Sequence, residues 1–310
     1  GRKMSKSLGN VVAPDKVMNS LGADVLRLWV SATDYTSEMS VSDEILKRMS
    51  DSYRRIRNTV RFLLGNLHGF DPEQHSVPVD QLIDFDAWAL RRAAALQQEI
   101  VSAYRDYQFH VVYQRAHNFC VNDLGGLYLD VLKDRMYTTP AGGHARRSAQ
   151  TVMLHILSAM VRWLAPVLSF TAEEIWQVLP LAGKPKSVFL TTWHEFPAVP
   201  AARVDWDALI ALRQAVLREL EKLREAGTIG APLEAEVDIY ALPDHDEATW
   251  AHQLEAALSY GTGHLSLYQL TIEPGTRFET LVRKGDFTPL EADRAADLYE
   301  LTRDLTTAHG

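Results

Sequence analysis

Between Ser42 and Leu64 apolar side chains return every three or four residues: Ile45, Met49, Tyr53, Ile56, Val60, Leu63 and Leu64. That period lays one apolar stripe along a helix, and a stripe of this kind needs partner elements to cover it. Partners of the same type follow. A second helix carries Trp88, Leu90, Leu96, Ile100 and Tyr104, with Asp84 or Asp86 as its N-cap. A third, from about Tyr107 to Val131, carries Val111, Val112, Tyr113, Phe119, Leu124, Leu127, Tyr128 and Leu129. A fourth runs from Arg146 to Leu164 with Val152, Leu154, Ile156, Leu157, Met160 and Val161 on one face, and Pro166 stops it. Thr171 and Glu174 have the spacing of a capping box that opens a short helix holding Trp176. Trp206 to Glu225 gives one more amphipathic helix, with Leu209, Leu212, Val216, Leu220 and Leu223 expected inward and Gly227, Gly230 and Pro232 at its end. Successive amphipathic helices joined by short loops predict a mainly α fold built as a bundle.

The 310 residues, 46% of them hydrophobic, suffice for two domains with real cores. With 32 basic against 40 acidic residues the formal charge is −8, so any contact with nucleic acid must come from local clusters. A single cysteine, Cys120, rules out an internal disulfide, a cysteine-rich zinc site and a cysteine-held iron–sulfur cluster within these residues. His117 and Cys120 stand one helical step apart, but two ligands without a second pair read as core residues, and no metal site is expected. No apolar run is long enough to cross a membrane, and no signal segment opens the chain, which fits a reducing cytoplasm.

The most chemically specific stretch is the first. Lys3 and Lys6 alternate with Ser5 and Ser7 in a loop flanked by glycine. Ammonium groups on flexible stems can follow a moving phosphate and stabilise charge on a leaving pyrophosphate, so the loop suits ATP. Pro14 then starts a short helix through Ser20, closed by Gly22, and Asp24 opens a second apolar stretch with Val25, Leu26, Leu28 and Trp29. Lys3-Met4-Ser5-Lys6-Ser7 is the KMSKS motif of class I aminoacyl-tRNA synthetases. Its continuation Leu8 to Pro14, and the string Leu21 to Trp29, resemble the isoleucyl-tRNA synthetase family. Further strings agree with that family: Tyr53 to Thr59, Asp130 to Tyr137 and Ala165 to Trp176.

The resemblance implies the following. The parent activates isoleucine with ATP, carried with Mg, and esterifies an isoleucine-accepting tRNA. Lys6 steadies the phosphates in the transition state with Lys3 helping, and Ser5 and Ser7 complete the ATP contact. Residues 1–36 form the KMSKS loop and end of a Rossmann catalytic domain, and residues 37–232 a helical anticodon-binding domain. The protein is a cytoplasmic monomer. A chain that opens with Gly on this motif reads as a C-terminal portion of such an enzyme. The ATP motif near the usual N-terminus, the editing domain and a cysteine zinc knuckle lie outside it, so the chain alone is expected to be inactive.

On the first bundle helix Lys47, Arg48, Arg54, Arg55, Arg57 and Arg61 crowd together. They form either a solvated face paired to Asp43, Glu44 and Asp51, or a track for RNA phosphates. With the family string the second reading names Arg54, Arg55, Arg57, Asn58 and Arg61 as tRNA contacts.

From about Ala241 the resemblance changes. Ala241 to Trp250, then Leu254, Ala257 and Leu258, then Gly263 to Thr276, resemble coproporphyrinogen-oxidase-like radical SAM proteins of the haem-chaperone type. A helix from Glu247 to Leu258, a strand from Leu265 to Ile272 and a helix from Glu291 to Thr307 predict a small α/β tail over 233–310, one slice of a barrel and a foreign or misjoined piece. That family's cluster-binding cysteines are absent, so no cofactor follows from it. Besides the ligase, two other readings stay open: a non-catalytic helical tRNA-binding module, and a fragment of a radical SAM protein.

Overall fold

The computed structural model describes residues 3–202, 204–231, 235, 250–251, 254–255, 283 and 292–308. The chain divides into two compact units, Gly1–Pro200 and Ala201–Gly310. Every regular element among the described residues is a helix.

The first unit opens with the Lys3–Gly9 loop, followed by α1 (Pro14–Leu21) and α2 (Ala23–Ala32). Pro14 sits in the first turn of α1 and Gly22, at φ +92°, separates the two helices, as the sequence predicts. The long α3 (Asp43–Asn66) is capped by Ser42, whose hydroxyl accepts from the Ile45 amide. Along it Leu46, Ile56, Val60 and Leu63 are buried, so Leu46 takes the innermost place in the first turn and Ile45 stands at the edge of the stripe. A short α4 (Pro72–His75) leads to α5 (Asp84–Arg105).

Three sequence expectations change here. Neither Asp84 nor Asp86 caps α5: the helix starts after Ile83 without a side-chain cap, and Asp86 is turned wholly inward. Its carboxylate accepts from Tyr128 Oη at 2.9 Å, Ser148 Oγ at 2.6 Å and Arg135 Nη1 at 2.8 Å. Burial pushes this carboxyl's pKa up while those donors favour its charged form. The long third helix is three segments, α6 (Phe109–Asn118), a π-helical stretch Phe119–Tyr128, and α7 (Leu129–Thr138). Gly125 and Gly126 make the wider turn possible: a Cβ on Gly125 would lie 3.0 Å from the Cys120 carbonyl oxygen and one on Gly126 3.2 Å from that of Val121. The expected capping box is also absent. The helix α9 (Ser169–Val178) begins before Thr171, and Thr171 and Glu174 bond to other helices.

The centre of the bundle is α8 (His144–Leu164), buried along nearly its whole length from Ser148 to Leu164 and packed on α3, α5, α7 and α9. Each apolar residue expected on its face is buried, and Trp163 and Trp176 are fully enclosed. Such side chains contribute most of the stabilising area of a core. Cys120 and His117 belong to this packing. The Cys120 thiol is buried and pushed up to about 12, and the His117 ring lies against Tyr113.

In the second unit α10 (Trp206–Glu225) has the predicted bounds and is capped by Asp205, which accepts from the Ala208 amide. Its stripe is covered only in part: Leu209, Val216 and Leu220 are half-buried, whereas Leu212 and Leu223 are exposed. Periodicity dictates a face, not the thing that covers it. The last helix, α11 (Ala292–Ala308), agrees with the expected Glu291–Thr307, and Trp250 Nε1 donates to Thr302 Oγ1 on it at 2.8 Å. The expected strand Leu265–Ile272 lies outside the described residues.

Candidate nucleotide loop and RNA interface

The Lys3–Gly9 loop is closed by its own backbone and by Asn10. Asn10 Oδ1 accepts from the Ser5 amide at 2.8 Å, and Asn10 Nδ2 donates to the Lys3 carbonyl at 3.2 Å. Within this ring residues Lys6–Leu8 form one 3-10 turn that ends on Gly9 at φ +64°, where a side chain would be strained. The Ser5 and Ser7 hydroxyls bond to each other at 2.7 Å. Lys3 and Lys6 are exposed, and among the described residues no ion pair engages either. The turn therefore presents two free ammonium groups and two hydroxyls from one short segment, the composition a polyphosphate needs. Asn10, which fixes that segment, is a residue that sequence reasoning did not single out. The Asn side chain's habit of mimicking a turn was the available signal.

Two residues of α2, the second helix after the loop, fix that helix to the bundle. Asp24, buried, accepts from the amides of Phe170 at 3.3 Å and Thr171 at 2.7 Å and from Thr171 Oγ1 at 2.6 Å. These are the second and third amides of α9, which has no cap of its own in sequence, so Asp24 is its N-cap from 146 residues away. Arg27 reaches the other end of the same corner, donating to the carbonyls of Pro166 at 2.7 Å and Val167 at 2.9 Å just past α8. An anion on a helix start and a cation by a helix end each match the local dipole.

The basic residues of α3 separate into two groups. Arg57 holds Glu174 of α9 with both terminal nitrogens at 2.9 Å and also donates to Tyr53 Oη at 3.2 Å. The pairing raises the Arg57 pKa and lowers that of Glu174. Arg48 pairs with Glu44, and Arg54 with Asp51 at 3.0 Å, both on the surface. Arg55 and Arg61 are exposed and, among the described residues, free of ion pairs, and Asn58 is exposed beside them. The five sequence-predicted contacts are thus one internal strut, Arg57, one surface pair, Arg54, and three open side chains.

Among the described residues no group of three or more His, Cys, Asp or Glu stands together to hold a metal, and no helix is long and apolar enough to cross a membrane.

Comparison with known proteins agrees with this geometry. Residues 86–239 match the model of the anticodon-binding domain of tRNA ligase, and residues 1–42 that of class I tRNA synthetases (I, L, M and V). The isoleucine–tRNA ligase of Nitrosococcus oceani is 62% identical over 245 residues, covering 77% of this chain and 26% of that protein. That of Methylococcus capsulatus is 58% identical over 248 residues, 78% of this chain and 26% of the relative. That of Thioalkalivibrio sulfidiphilus is 51% identical over 290 residues, 92% of this chain and 31% of the relative, so its match reaches into the tail. The radical SAM resemblance of that tail finds no support in these matches. Over residues 1–42 and 86–239 the chain is thus similar to class I tRNA synthetases and to the anticodon-binding domain of tRNA ligase, and it spans about a quarter of the length of the isoleucine–tRNA ligases it matches.

Proposed function

We propose that this chain is the KMSKS-loop and anticodon-binding portion of an ATP-dependent isoleucine–tRNA ligase. The observation that carries the reading is that a free two-lysine loop and a helical tRNA-ligase domain are joined in one compact unit, through Asp24 and Arg27. Lys6 meets the phosphates of ATP, carried with Mg, as pyrophosphate leaves, and Lys3, Ser5 and Ser7 complete the contact. Tightening in the transition state is the property such a contact needs. The exposed side chains of α3, Arg54, Arg55, Asn58 and Arg61, meet the backbone of an isoleucine-accepting tRNA, and Arg57 holds their helix in place. Residues 1–36 close the catalytic domain, residues 37–232 bind tRNA, and residues 233–310 are a further α/β segment. The ligase works as a cytoplasmic monomer.

The test is isoleucine-dependent pyrophosphate exchange. This chain alone should give none, because two lysines without a nucleotide fold cannot orient ATP. Fusion to the remaining three-quarters of a close relative should restore exchange, and failure of the fusion would overturn the assignment.

A further inference from the structure

A cleft of about 420 Å³ opens between the segment behind the loop and the first turns of α3. Its floor is apolar, with Val12, Val17, Leu21 and Leu46, and its rim carries Lys16 of α1, Lys47 of α3, Ser50 and Asp43. Both lysines are exposed and neither is engaged in an ion pair among the described residues, although Asp43 lines the same cleft. This contrasts with their neighbours, since Arg48 and Arg54 each hold an acid of their own helix. Lys47 also shares a face of α3 with Arg54, Asn58 and Arg61, since steps of seven, four and three residues keep a helical side chain in register. From Lys47 to Arg61 that face extends about 21 Å.

We infer that Lys16 and Lys47 form a phosphate subsite for an RNA backbone, at the end of the α3 face nearest the nucleotide loop. The inference deepens the proposed function and rests on its reading of RNA as the partner. The physical ground is that a cation without a partner gives up only bound counterions when it meets a phosphate, whereas a paired arginine must first break its pair. Two ammonium groups on different helices, across an open cleft, can take one phosphodiester from both sides. Ser50 stands in the same cleft as a further donor. Asp43 opposes the anion and sets the site's strength.

The experiment measures binding of an isoleucine-accepting tRNA transcript to the 310-residue chain by fluorescence anisotropy across a salt series. Lys16→Gln with Lys47→Gln should lower the slope of log affinity against log salt by about 0.9, one phosphate's worth. Asp43→Asn should tighten binding roughly two- to threefold by removing one opposing charge. Arg55→Ala with Arg61→Ala serves as the comparison. If the arginine variant loses slope and the lysine variant keeps it, the subsite is refuted while the proposed function stands. If the unaltered chain shows no salt-dependent binding, RNA is not the partner and both fall. Circular dichroism melting of each variant, expected unchanged for exposed lysines, separates these outcomes from misfolding.

Discussion

Asp24 Oδ2 lies 2.7 Å from the amide and 2.6 Å from the hydroxyl of Thr171, 147 residues further along the chain. One carboxylate therefore starts a helix to which it does not belong. Asp24→Ala should cost about 1–2 kcal/mol, the usual value of an N-cap whose amides are left buried. Asp24→Asn, which keeps one acceptor, should cost less. Denaturant midpoints measure both, and equal midpoints for Asp24→Ala and the unaltered chain would show that α9 is started by something else.

Arg57 and Glu174 make the corresponding clamp between α3 and α9, and it is sensitive to acid. The Glu174 pKa is lowered, first by the hydrogen bonds from Arg57. A lowered carboxyl contributes stability above its unfolded value near 4.5 that is lost as pH falls through the folded value. Glu174 is 61% exposed, so solvent screening limits the effect to about 0.5–1 kcal/mol. Thermal melts between pH 6 and pH 3 should show a smaller acid-induced drop for Glu174→Gln than for the unaltered chain.

Lys6→Ala, placed in the complete fused enzyme, should lower turnover on the order of a hundredfold with far less change in KM for ATP, as for a contact made mainly in the transition state. Asn10→Ala should do part of the same damage without removing any charge, because Asn10 holds the turn that aims the lysines. Steady-state exchange kinetics decide. A KM effect in place of a turnover effect would make Lys6 a ground-state binder.

Arg55→Ala with Arg61→Ala should weaken tRNA binding and flatten its salt dependence while leaving the melting temperature unchanged. Arg57→Ala should behave the other way, lowering the melting temperature and altering binding only through the helix it supports. The contrast between open and paired side chains is what the anisotropy and melting measurements would read.

What the sequence made legible was what is local. Pro14 and Gly22 bracket α1, and the apolar period of Trp206–Glu225 returned α10 with its observed bounds. The loop from Lys3 to Ser7 was readable as a string because its chemistry is contained in five residues. What escaped depends on partners far away in the chain. Nothing near Arg57 distinguishes it from Arg54, since the difference is Glu174 on another helix. Asp86 had the composition of a cap and became a buried acceptor because Tyr128, Arg135 and Ser148 converge on it. The π-helical stretch was missed for a different reason: its apolar residues recur closely enough to the α period that only the Gly125–Gly126 pair marks the change.

That stretch acts on the chain as a phase shift acts on a wave. Before it, Val112 and Ala116 face the core in one rotational setting; after it, Leu132 and Met136 are again inward, and Arg135 meets Asp86. A continuous α-helix of the same length would carry a different angular sum by residue 129, and the same side chains would emerge on other bearings. The two glycines thus set the azimuth of everything downstream as far as Thr138, and a single inserted or deleted residue between Cys120 and Gly126 would rotate Arg135 away from the one buried carboxylate placed to receive it.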